Sequence, residues 1–173
     1  MASIDLAVNQ VIVMVVSKTG YETGIEHATS LVSKKYGEIC YISLNKPYTT
    51  LGEIFSRKGI DVKKIIFIDC VTGRAAKENG YNVITVSSPK ALTQLSIAIT
   101  EEIGKSAGAF IFDSLSTLLA YQDNSTSIKF VHSIVSKMRT TKKRCVFICL
   151  TDDLKTDLMK DVSMFVDKII SVR

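Results

Sequence analysis

The residues best placed to do chemistry stand in a short loop after the first apolar run. VIVMVV (residues 11–16) is followed by SKTGYETG (17–24), and helical spacing then begins at Ile25. A glycine-bearing loop between a buried strand and a helix is where a phosphate-binding Gly-x-x-x-x-Gly-Lys-Ser/Thr motif would stand. In that register Ser17 takes the first glycine, Glu22 the second, Thr23 the lysine and Gly24 the hydroxyl residue. The motif works because glycines let backbone N–H groups converge on phosphate oxygens. Its lysine neutralises the β/γ charge, and its hydroxyl ligates Mg²⁺. Here Glu22 brings a negative charge toward the phosphate position, Thr23 supplies no cation and Gly24 no hydroxyl. Lys18 comes early in the loop, which favours solvent over an inward reach. The outline is that of a phosphate loop; the chemistry is not.

Other polar residues gather where further apolar runs end: Asn45-Lys46-Pro47, Asp69, Asp113-Ser114 and Thr151-Asp152-Asp153. Two readings stay open for them, a rim that binds a polar ligand or a metal-bound phosphate, and the ordinary polarity of exposed strand ends. The runs themselves predict strands over 11–16, 39–44, 64–69, 82–86, 109–113, 145–150 and 168–172. Several are apolar at consecutive positions, as a sheet covered on both faces requires, and 82–86 is the weakest and suits an edge. Helical faces fill the gaps: Ile25, Ala28, Leu31 and Val32; Leu51, Ile54 and Phe55, closed by Lys58-Gly59; and Leu92, Leu95, Ile99 and Ile103, opened by Ser88-Pro89 as cap and first helical residue. Ile128, Val131, Val135 and Met138 make a fourth face, ending in the basic run SKMRTTKKR. Strand and helix alternate, which implies right-handed crossovers and a three-layer α/β/α domain around a mostly parallel sheet. In such sheets ligands sit beyond the carboxyl ends of the strands.

The 173 residues suit one domain over 1–173, and 46% hydrophobic with 23% charged residues argues against disorder. A net charge of +5 permits nucleic acid or acidic partners without demanding them. No apolar run approaches the ~18 residues of a membrane helix. MASIDLAVNQ carries Asp5 and no basic leader, so a cytoplasmic protein without membrane contact is expected. Cys145 and Cys149 share one strand face but lie ~13 Å apart, too far for one metal or one disulfide. With His27 and His132 the only histidines, neither a zinc site nor a Ser-His-Asp or Cys-His constellation is expected, and both histidines are assigned to packing or surface.

The order of the pieces resembles the RecA-like ATPases, most closely the KaiC-like branch common in archaea. AFIFDSLSTLLAY (109–121) is similar to the Walker B strand, CVFICLTDDL (145–154) to the next strand of that family, and MKDVSMFVDKIISVR (159–173) to its C-terminal helix and last strand. The stretch 44–73 looks like the family's insertion after the second strand. The resemblance implies a RecA-like P-loop fold with its strands in the order Lys168, Val11, Cys145, Ala109, Ile39, and the Lys64 strand beyond. It makes Asp113 the Walker B aspartate, the Mg²⁺ ligand if a metal is held. The departures are as informative. The Walker A lysine is missing, Asn45, Lys46 and Pro47 stand where the catalytic glutamate would, and the glycine-rich lead-in before Val11 is absent. A degenerate member that does not hydrolyse ATP is expected.

Three functions follow as expectations. The first is a non-catalytic pseudo-ATPase that regulates or assembles through a protein partner or as a homo-oligomer. The second is a module binding a nucleotide or other small molecule without hydrolysis, at a vestigial site of Ser17, Lys18, Thr19, Gly20, Thr23, Gly24, Asp113, Ser114 and Thr151, with weak ATP and Mg²⁺ as the one cofactor entertained. The third and weakest is single-stranded nucleic-acid binding through Lys137, Arg139, Lys142, Lys143 and Arg144. No aromatics interleave with that run to stack on bases, and a solvated helix end explains it as well. Tyr48 and Tyr121 are placed in loops after strands.

Overall fold

The computed structural model describes residues 4–7, 10–74 and 79–172; Arg173, at the end of the family-like stretch, and Met1–Ser3, Val8 and Asn9 of the N-terminal segment lie outside them. Seven strands form one sheet: β1 (Val11–Val16), β2 (Ile39–Ser43), β3 (Ile65–Asp69), β4 (Asn82–Thr85), β5 (Ala109–Asp113), β6 (Arg144–Leu150) and β7 (Lys168–Val172). Their order is β4-β3-β2-β5-β6-β1-β7, and every neighbouring pair is parallel. The expected order is the observed one, with β4 added at the far edge.

Period-two alternation divides the core cleanly. Val11, Val13 and Val15 of β1 face one side with Phe110, Phe112, Cys145 and Phe147. Ile12, Met14 and Val16 face the other with Tyr41, Ile111, Val146 and Ile148. Two helices, α1 (Tyr21–Tyr36) and α2 (Tyr48–Arg57), cover the second face. The first is covered by α3 (Leu92–Ile103), α4 (Leu115–Tyr121), α5 (Asn124–Thr140) and α6 (Asp157–Phe165). The protein is a three-layer α/β/α fold. Each fully buried Val, Ile or Phe on these strands contributes roughly 1.5–3 kcal/mol.

Several expected boundaries move, each for a local reason. Helix α1 starts at Tyr21 rather than Ile25, because the Gly20 carbonyl already accepts from the Gly24 N–H at 2.8 Å. Ser88-Pro89 does not open α3. The Ala91 N–H and Lys90 N–H donate back to the Ser88 carbonyl and Oγ, closing a turn, and the helix begins at Leu92. Lys64 belongs to a 3-10 turn, Val62–Lys64, whose cap Asp61 accepts from the Lys63 N–H. The unforeseen α4 follows β5 at once, with Ser114 Oγ accepting from the Thr117 N–H at 3.1 Å. Tyr48 and Tyr121 are therefore helical: Tyr48 opens α2 and is buried, while Tyr121 ends α4 and is 44% exposed.

Candidate functional site

Alternation along β5 sends Ala109 and Ile111 to the α1/α2 face, and Asp113, next in that period, meets residues of the same side. It is fully buried, and one oxygen takes both of its hydrogen bonds. Tyr21 at the start of α1 donates to Oδ2 at 2.5 Å, and Tyr41 of β2 donates to the same atom at 2.8 Å. Oδ1 is buried without a hydrogen-bond partner. Burial pushes the Asp113 carboxyl up to about 6; the two phenols, and Lys46 more distantly, hold it down from going further. Burial and the neighbouring carboxylate raise both tyrosines in turn, so they remain proton donors. Sequence reasoning missed these two tyrosines. The available signal was a phenol in the apolar run ICYIS, since a buried tyrosine O–H must find an acceptor.

The loop residues are disposed differently from a phosphate cradle. Ser17 Oγ accepts from the Gly20 N–H at 3.0 Å and contacts Thr19 Oγ1 at 3.3 Å, so these hydroxyls hold the turn itself. Thr23 is exposed on the first turn of α1. Gly24 is buried, and a Cβ there would meet Val16 Cγ1 at 2.6 Å; its missing side chain serves helix-on-strand packing, not phosphate. Lys18 pairs with Asp152 at 2.8 Å, which raises its pKa. Glu22 faces Lys46 at 3.5 Å. Thr151 donates to the Val16 carbonyl at 3.2 Å. The candidate residues thus do not converge as one set. They also do not fit Mg·ATP: the loop's one lysine, Lys18, is paired with Asp152, the Ser17 and Thr19 hydroxyls bond within the turn, and one oxygen of Asp113 already accepts from two phenols.

A cleft of about 670 Å³ lies instead beside this position, across the carboxyl ends of β1, β2, β5 and β6. Lys18, Tyr21 and Asn45 line it from the α1 side; Ser114, Ser116, Thr117, Ala120 and Tyr121 line it from α4 and its cap, and Leu150 and Asp153 from the end of β6. Of the candidate set only Lys18 and Ser114 reach it. Ser116 Oγ accepts from the Leu150 N–H at 2.8 Å, tying α4 to β6 and fixing that wall. Asp69, at the end of β3, lies outside the cleft and is consumed by structure: it accepts from the N–H groups of Tyr48, Val71 and Thr72 and from Thr72 Oγ1.

The basic run is largely committed to the fold. Lys137 donates to Ser96 and Thr100, Arg139 to the Phe165 carbonyl and Asp167, and Lys143 to the carbonyls of Lys105 and Ala107. The Arg144 guanidinium lies 4.5 Å from the centre of the Tyr36 ring. Only Lys142 of the five is exposed without such a partner among the described residues. His132 is exposed and meets Phe165 edge-to-face at 5.3 Å. The four cysteines are buried free thiols, pushed up in pKa by burial. Among the described residues, no three His, Cys, Asp or Glu side chains converge to hold a metal, and no helix is long and apolar enough to cross a membrane.

No curated protein matches the chain. The model of a family of unknown function, DUF7504, matches residues 57–172, from the end of α2 through β7, leaving the β1–α1 loop outside and the α4 and β6 walls of the cleft inside. The chain belongs to the DUF7504 family.

Proposed function

We propose that the protein is a non-catalytic, RecA/KaiC-like domain, a pseudo-ATPase that acts in regulation or assembly through protein contacts, self-association included. The observation that carries the non-catalytic part is the double capping of Asp113 by Tyr21 and Tyr41. Oδ2 already accepts from two phenols and is closed to a metal ion, and Asn45, Lys46 and Pro47 after β2 offer no carboxylate to activate water. The strand order supports the resemblance itself. The contact role comes by analogy with degenerate sensory domains of that type. We place it in the cytoplasm, in keeping with four buried, reduced cysteines.

Calorimetry with ATP and ADP, with and without Mg²⁺, tests the reading. The expected result is no binding tighter than about millimolar, roughly 4 kcal/mol, and no phosphate release above the blank. Micromolar affinity abolished by Asp113→Ala overturns it. Light scattering at several concentrations reads self-association. A second reading is favoured by the cleft: a module that binds a small molecule at the strand-end rim without hydrolysing it.

A further inference from the structure

We propose that the cleft takes a small planar aromatic ligand bearing an amino or ammonium group, and that Asp153 receives that group. The inference rests on the second reading above and is independent of the first.

The volume of about 670 Å³ suits a small molecule of one or two rings with a short substituent. Part of the lining is apolar and aromatic: Tyr121, 44% exposed at the end of α4, with Ala120 and Leu150. A planar ring covering Tyr121 would bury a large aromatic surface that now faces water.

The charges decide what the ring carries. Two charged side chains line the cleft, Lys18 and Asp153. Lys18 is compensated by Asp152 at 2.8 Å. The Asp153 carboxylate pairs with no cation and accepts from no donor among the described residues; only its backbone carbonyl is used, by Thr156. Lys46, next to Asn45 of the lining, is engaged with Glu22. Lys18 thus stands between two carboxylates, Asp152 in a pair with it and Asp153 farther off, which leaves one negative charge in excess at this end of the cleft. A phosphate or carboxylate would have to share Lys18 with Asp152 and lie beside Asp153. An amine meets neither obstacle, gains a charge-assisted hydrogen bond, and presents a cation to the Tyr121 face.

Three probes separate the outcomes: tryptamine, indole-3-propionate with the same ring and a carboxylate, and inorganic tripolyphosphate. Heteronuclear NMR titrations of the full chain are expected to show tryptamine binding at least about tenfold tighter than indole-3-propionate, the change one charged hydrogen bond supplies. Asp153→Asn is expected to erase that preference while leaving the ring bound, and Tyr121→Ala to weaken both indoles. Both side chains are partly or well exposed, so neither substitution threatens folding. Tighter binding of indole-3-propionate or tripolyphosphate overturns the amine assignment and leaves the cleft reading standing. Tryptamine binding that survives both substitutions unchanged overturns it too. If no probe binds, the cleft reading falls with it, and the pseudo-ATPase reading is untouched.

Discussion

Asp113 combines a buried carboxylate with only two donors, both on one oxygen, and that imbalance has a measurable consequence. Its folded pKa of about 6 lies above the ordinary 3.8, so between about pH 4 and pH 6 the native state binds a proton that the unfolded chain has released. The contribution to stability is complete below pH ~4 and is lost as pH rises through ~6, on the order of 3 kcal/mol in all. Urea unfolding of wild type and Asp113→Asn across that window is expected to show the variant gaining on wild type as pH rises; parallel profiles would rule the assignment out. Tyr41→Phe should act in the opposite sense. It removes a donor to the charged form, lifts the Asp113 pKa further, and costs about 1–3 kcal/mol at pH 7 and less near pH 5. An equal cost at both values would mean the hydroxyl does not serve the carboxylate. The sequence made Asp113 visible as a strand-end acid, but its partners come from α1 and β2, and no spacing rule joins residues 21, 41 and 113. That is why the site was legible as a strand-end acid near a loop without phosphate-binding chemistry, and not as a carboxylate capped by two tyrosines.

Among the elements, strands were the most legible, because a sheet buried on both faces leaves uninterrupted apolar runs such as 11–16 and 109–113. Helix starts were the least legible. The Gly20-Tyr21-Glu22 entry to α1 has no side-chain cap, and Ser88-Pro89 satisfies the sequence signature of a helix start while forming a separate turn. The cleft was missed for a related reason: α4 is seven residues long and begins the moment β5 ends, so its wall was hidden inside a strand-like segment. Gly24 shows how an element-level contact can imitate a motif. As an exposed-helix residue its replacement by alanine would gain up to about 1 kcal/mol of helix propensity. Here the added Cβ meets Val16 Cγ1 at 2.6 Å on a buried strand, and overpacking of about 1–3 kcal/mol should win. Chemical denaturation is expected to find Gly24→Ala destabilised, and Val16→Ala combined with it to be less destabilised than the two single costs summed. A neutral or stabilised Gly24→Ala would mean that α1 can shift away from β1.

At the scale of the whole molecule the question is where the excess of +5 resides. A basic protein binds nucleic acid when its cations form a continuous surface free to replace counterions, and affinity then falls steeply with salt. This chain concentrates five cations between residues 137 and 144, yet three donate to side-chain or carbonyl oxygens of neighbouring elements and a fourth lies over a tyrosine ring. Arg139 in particular joins the Phe165 carbonyl and Asp167, whose other oxygen accepts from the Val11 N–H, so the run helps fasten α5 to the α6–β7 turn and the start of β1. Releasing these contacts to reach phosphates would cost the fold what binding gained. Fluorescence anisotropy with a labelled oligothymidylate should therefore show no saturable binding up to about 100 µM protein at ~150 mM salt, and at ~20 mM salt only a shallow dependence worth about one or two phosphates. Lys142→Glu should barely alter it, while Arg139→Gln should lower stability by up to about 1 kcal/mol, as a partly exposed pair implies. Dissociation constants below ~10 µM at physiological salt, lost with Lys142→Glu and Lys143→Glu, would return the basic run to function.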